Sequence, residues 1–184
     1  MKSFLREVLI TVVLALAIFL IARETVQTYE VFMTSMEPNF HEGQRVVVNK
    51  AAYWSWVGDP QRGDVIIFQA PTETNEDFIK RVIGLPGDTL EVKNGAVYVN
   101  GVKLDEPYVA QEPTYTMPKT TIPAGDYFVM GDNRNHSNDS HNGWLVARDE
   151  IHGKAWLSSW PPSLWGVVPS YPLGKQIAAA GDQP

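Results

Sequence analysis

Ser35, in Met33-Thr34-Ser35-Met36-Glu37-Pro38, and Lys80, in Asp77-Phe78-Ile79-Lys80-Arg81-Val82-Ile83, are residue types that together support covalent catalysis. A serine hydroxyl is a poor nucleophile at neutral pH unless a base takes its proton as it attacks. An uncharged lysine is such a base. With period 2, Lys80 shares a strand face with Phe78 and Val82, and desolvation there lowers its pKa from about 10.4 toward about 7 to 8. Arg81 then points the opposite way and needs a carboxylate of its own. A third stretch, Gly131 to His141, holds hydroxyls and carboxylates in one polar loop, where a hydroxyl can orient a neutral amine without restoring its charge. The serine and lysine stretches each have an ordinary explanation as well. Serine beside proline is common in turns, and a lysine at a strand edge often snorkels to water.

The elements that must position these residues are predicted to be β. Arg45 to Asn49, Val65 to Phe68, Phe78 to Ile83, Thr89 to Val92, Ala96 to Val99, Tyr127 to Met130 and Ala155 to Leu157 are short runs rich in Val, Ile and aromatics, bounded by Gly, Pro, Asn and Asp. Asn94-Gly95 is a two-residue hairpin signal, and Asn100-Gly101 marks a second reversal. Ala110 to Pro123, with three prolines, has little room for ladder hydrogen bonds and reads as an excursion at the rim. The fold class expected is mainly β: an antiparallel catalytic domain over residues 25–166 with a small inserted hairpin at about 94–123. Residues 167–184, with their Ala run and polar end, are expected to be a disordered tail.

Before this domain, Val8 to Ala22 is apolar apart from Thr11, follows Lys2 and Arg6, and ends at Arg23-Glu24. Residues 1–24 are expected to be a cytoplasmic stub and one transmembrane helix. The uncharged part covers about 22 Å at about 1.5 Å per residue, short of a hydrocarbon core of about 30 Å, so flanking residues must extend it. A cleavable signal peptide has the same start, but no Ala-x-Ala site follows and charges occupy the exit. Lys2 and Arg6 favour an N-inside orientation. The short, β-branched segment Thr25 to Val31 keeps Ser35 near the membrane surface. Trp54-Ser55-Trp56 is hard to bury in one core and suits an interfacial belt.

A net charge of -6 in 184 residues argues against nucleic acid, which needs a basic surface. The absence of cysteine excludes thiol chemistry, zinc-thiolate sites and disulfides. Arg62-Gly63-Asp64 reads as a turn into the next strand rather than an adhesion motif, and His136, Asp139 and His141 fit no metal-ligand spacing. No cofactor or metal is expected.

Ser35-Met36-Glu37-Pro38, Lys80-Arg81-Val82-Ile83-Gly84-Leu85-Pro86-Gly87-Asp88 and Gly131 to Ser140 resemble, in order and spacing, the signature boxes of bacterial type I signal peptidases. Arg62 to Phe68 and Trp160-Pro161-Pro162 look like two further boxes. The resemblance implies a Ser/Lys endopeptidase, single-pass in the bacterial cytoplasmic membrane, that removes signal peptides from exported preproteins. Its partners would be those preproteins, membrane lipid and the export machinery. It implies Ser35 as nucleophile through an ester acyl-enzyme and Lys80 as general base. Ser137 would orient the lysine, Asp132 would pair with Arg81, and Asp139 and Ser140 would brace the loop. Met36 and the strand around Phe78 would contribute to substrate pockets.

Three positions depart from the family pattern. Met33 stands where Ser or Gly is usual, so a serine donor to the oxyanion is lost; Asn39 replaces Thr or Ala; His141 replaces the arginine partner of Asp139. These departures allow a catalytically weak or inactive relative that binds signal sequences. A Ser/Lys self-cleaving regulator shares the dyad, but the anchor and acidic charge speak against it.

Overall fold

The computed structural model describes residues 2–71 and 76–181. It opens on a helix, α1 (Lys2–Thr25), whose Phe4–Thr25 portion is apolar and long enough to cross a membrane. At about 1.5 Å per residue its 22 residues span about 33 Å. The shortfall expected from the uncharged run is closed at both ends, by Phe4 to Glu7 before it and by Arg23, Glu24 and Thr25 after it, where the Thr25 hydroxyl bonds back to the Ile21 carbonyl.

The strands follow in chain order: β1 (Val26–Glu30), β2 (Arg45–Asn49), β3 (Val65–Gln69), β4 (Asp77–Gly84), β5 (Thr89–Lys93), β6 (Ala96–Val99), β7 (Val102–Lys103), β8 (Met117–Thr121), β9 (Asp126–Met130), β10 (Val146–Ala147), β11 (Ile151–Trp160) and β12 (Gly166–Val167). A second helix, α2, spans Leu173–Gly181. The main sheet runs β1-β2-β11-β3-β4-β9-β10 with β12 beside β11, and the small sheet runs β7-β6-β5-β8. Each strand pair is antiparallel. The mainly β fold with an N-terminal apolar helix is the class expected.

Several elements differ from expectation. The segment after the anchor pairs along its full length with β2, so the tether is an edge strand rather than a loose link. The small sheet starts at Thr89, before the Asn94 turn. The proline-rich excursion contains β8, which pairs with β5 at the sheet edge, where Pro118 needs no ladder donor on its open side. The two Asn-Gly turns adopt positive φ at all four residues, the geometry a two-residue hairpin demands.

Part of the tail is ordered as well. Leu173 is fully buried in the core between the small sheet and β4, and the Gln176 amide exchanges two hydrogen bonds with the Asp105 backbone, at 2.8 and 3.0 Å. An apolar side chain with a cavity to fill overrides a weak local helix signal. Residues 182–184 of the expected tail lie outside the described residues.

Gly84 marks the passage between the sheets: a Cβ there would lie 2.2 Å from Ile122 and 2.4 Å from Leu90, so only glycine lets them close on one core. Arg62 bonds Asp88 at 2.7 Å, and Asp64 accepts from Tyr53 and Lys154, so the Arg-Gly-Asp side chains are turned inward.

Candidate active site

Ser35 stands on a tight turn whose underside is nailed into the core. Met36 and Phe40 are buried on the same cluster as Val46 and Val65, and the Asn39 and Phe40 N-H groups both donate to the Met36 carbonyl at 3.0 Å. With its neighbours facing inward, Ser35 is left at the surface of a cleft of about 610 Å³, lined also by Tyr29, Val31, Met33, Ile67, Phe78 and Lys80. Met36 is core and not part of this cleft, contrary to the expected pocket role. Phe78 does line it.

Lys80 reaches the serine from β4. Its Nζ donates to Ser35 Oγ at 2.8 Å and to the Ile79 carbonyl at 3.0 Å, and lies 5.0 Å from the centre of the Phe78 ring. The residue is 3% exposed. Burial lowers its pKa from 10.5 to about 8, against the opposing fields of Asp139 and Asp132. At mildly alkaline pH a substantial fraction of the amine is therefore neutral, and the short contact reverses: Ser35 O-H donates and the nitrogen accepts.

Arg81, the next residue, faces the other side of the strand. Its guanidinium meets Asp132 through two bonds of 2.8 and 2.7 Å, donates to the Gly63 carbonyl at 2.9 Å, and packs 4.2 Å from the Tyr108 ring centre. Asp139 accepts from the Gly131 N-H at 2.8 Å and from the His141 ring at 2.6 Å, so imidazole takes up the carboxylate at that position. Ser140 Oγ accepts from the Val129 N-H at 3.0 Å. These contacts seat the loop on the end of β9.

One expected contact is not made. Ser137 Oγ is buried without a hydrogen-bond partner among the described residues, so Lys80 is oriented by Ser35 and the Ile79 carbonyl alone. The crowding lies at Gly131, where a Cβ would fall 2.3 Å from Ser137 Oγ and 2.4 Å from the Ser35 carbonyl oxygen. Only glycine lets the loop pass this close to the nucleophile.

The sequence matches the family described as signal peptidase, peptidase S26, over residues 4–160. The chain belongs to the signal peptidase family. It is thus a serine endopeptidase of the class that cleaves signal peptides. This signal peptidase is 39% identical to a probable signal peptidase I-1 of a Synechocystis species, over 92% of this chain and 89% of that one. It is 37% identical to signal peptidase IB of Staphylococcus aureus, over 88% and 92%. A crystal structure of a signal peptidase I from Enterococcus faecalis aligns at 36% identity and a TM-score of 0.48, covering 53% of this chain and 97% of that chain.

Other residues of the site carry no motif that composition or period would pick out. Asn39 bonds Asp132 at 2.9 Å and the Tyr108 carbonyl at 2.8 Å, tying the serine turn to the ion pair. Arg134 is held through bonds of 2.6 and 2.8 Å by Glu106, in the segment that follows β7. Asn133 grips the serine turn directly. The Asn-rich composition of the loop was the available signal. Its partners are distant in sequence, so no local pattern could name them.

Proposed function

We propose that Ser35 and Lys80 are the catalytic pair of this signal peptidase and that hydrolysis proceeds through an ester acyl-enzyme. The observation that carries this is the 2.8 Å contact between Lys80 Nζ and Ser35 Oγ, in surroundings that lower the lysine to about 8. The neutral amine takes the Ser35 proton as Oγ attacks the scissile carbonyl. The tetrahedral oxyanion is met by the Ser35 N-H, which has no acceptor among the described residues. Collapse breaks the peptide bond, and the Lys80 ammonium returns its proton to the leaving amine. The signal peptide stays esterified to Ser35. Lys80 then deprotonates a water that attacks the ester, and Ser35 leaves with the proton. Arg81, Asp132, Asp139 and Ser140 support the pair by holding β4 and the loop.

In this proposal residues 1–24 anchor the chain in a bacterial cytoplasmic membrane with the amino terminus inside, and residues 25–166 work outside on emerging preproteins. Lys2 and Arg6 before the apolar helix support that orientation. The exposed Trp54 and Trp56, with rings 5.0 Å apart beside the 3-10 turn that α1 approaches, support contact with lipid head groups. An extended substrate, handed over by the export machinery, would lie in the cleft beside Phe78.

The test is cleavage of a preprotein in detergent or lipid by the intact chain and by Ser35→Ala. Cutting at the signal junction that disappears in the variant supports the assignment. Equal cutting by both would remove Ser35 from the mechanism.

A further inference from the structure

The loop after β9 holds the serine turn through two bonds from one residue. The Asn133 backbone N-H donates to the Ser35 carbonyl at 3.0 Å, and its side-chain amide donates to the Thr34 carbonyl at 3.1 Å. The Thr34 carbonyl also accepts from the Glu37 N-H at 3.1 Å, within the turn itself. Carbonyl oxygen only accepts, so the amide must present nitrogen to it. The amide oxygen is left facing His136 Nδ1 at 3.3 Å.

The Thr34-Ser35 peptide is trans and planar, so its carbonyl and its N-H point in opposite directions and move together. That N-H is the one offered to the oxyanion. A side chain that grips the carbonyl therefore aims the donor on the other end of the same peptide. Drawing density toward a doubly bonded carbonyl also makes the N-H a stronger donor. Met33 supplies no hydroxyl, so the chain leans on this single peptide where a serine there would add a second donor.

We infer, granting the Ser35 and Lys80 chemistry above, that the Asn133 side chain is a positioning residue for the oxyanion-binding peptide, acting through the Thr34 carbonyl. Its role is separable from tethering the loop, because the Asn133 N-H bond to the Ser35 carbonyl is a backbone bond that side-chain replacement leaves in place.

The experiment uses the full chain in detergent with a preprotein substrate, and compares Asn133→Ala and the isosteric Asn133→Asp with the parent. Asn133→Ala is expected to lower kcat about tenfold or more, with KM within about twofold, since the lost contact matters where negative charge develops. Asn133→Asp keeps the shape but offers the carbonyl no donor, so it falls at least as far. In Asn133→Ala the rise of kcat/KM with pH stays where the parent has it, because Lys80 is untouched and no charge is added; in Asn133→Asp the new carboxylate, like Asp132 and Asp139, favours the charged amine and shifts the rise upward. Full kcat in either variant overturns the inference. So does a loss confined to KM, or a loss that tracks a lowered Tm in both. A parent that does not cut, or a Ser35→Ala variant that does, overturns the mechanism itself and the inference with it.

Discussion

Lys80 and Arg81 are adjacent on one strand, both cationic in water and both buried, at 3% and 0% exposure, yet they end in opposite states. Lys80 is lowered to about 8 because burial dominates and no carboxylate touches it. Burial acts on Arg81 in the same direction, but its bonds to Asp132 outweigh it and raise its pKa. Strand alternation sends one residue to the cleft and the other to the carboxylate. Desolvation makes a base only where a counterion is withheld; with the counterion in contact it makes a permanent structural cation.

The largest effect expected from breaking this contrast is on turnover. Lys80→Arg keeps a cation in the cleft but removes any neutral form, and should cost about 10³-fold or more in kcat. Single-turnover cleavage of a preprotein measures it, and an active arginine variant would sink the Lys80 role. In the parent, kcat/KM should rise with pH through about 8, as the free amine appears.

Removing the counterion on the other face should strike stability. Asp132→Ala strands a buried guanidinium and also unbinds Asn39, at a cost of about 3–5 kcal/mol by chemical denaturation. A change under about 1 kcal/mol would mean that water reaches Arg81 in the folded state.

The base position should show the reverse, since a site built to repel charge is unfavourable for folding. Lys80→Met should stabilise the chain while abolishing activity. Unfolded, Lys80 holds its proton up to about 10.5; folded, only up to about 8. The unfolded state binds more protons between those values, so the penalty is full below about pH 8, shrinks as pH rises, and is gone above about 10.5. At about 1.4 kcal/mol per pKa unit it amounts to about 3 kcal/mol, an upper bound on the gain at pH 7. Equal stability of parent and variant at pH 7 would contradict the lowered lysine.

The smallest effect concerns the backbone beside the serine. Met33 lies at φ 63°, in the left-handed region that penalises a side chain. Met33→Gly should relieve about 1 kcal/mol, seen as a modest rise in Tm, with the pH dependence of cleavage unmoved. A lower Tm would show that the contacts of the Met33 side chain, 59% exposed at the cleft, together with the greater freedom of glycine in the unfolded chain outweigh the strain relieved.

Much of this was legible in the chain itself. The short runs rich in Val, Ile and aromatics located β2, β3, β4, β5, β6 and β9, and the Asn-Gly pairs marked turns whose positive φ those residues tolerate. The same alternation required Lys80 and Arg81 to face opposite ways, which no later folding step could change. Local pattern failed where a contact partner was far away. β1 and β8 are strands because β2 and β5 offer them free edges, and the tail is helical because Leu173 and Gln176 find sites near β7. Ser137 was expected at the amine and Met36 in the cleft, but the turn directs Met36 into the core and Gly131 brings Ser137 against the serine turn without a hydrogen bond.

What the sequence determined by itself is which residues are able to react and which side of a strand each must occupy, since residue chemistry and backbone alternation are local properties. Only the tertiary structure decided that Ser35 and Lys80 lie 2.8 Å apart, that Asp132 faces Arg81 and not the lysine, and that Asn39 and Asn133 hold the turn. Those are distances between segments far apart in the chain, set by how the sheets pack, and packing depends on all the side chains at once.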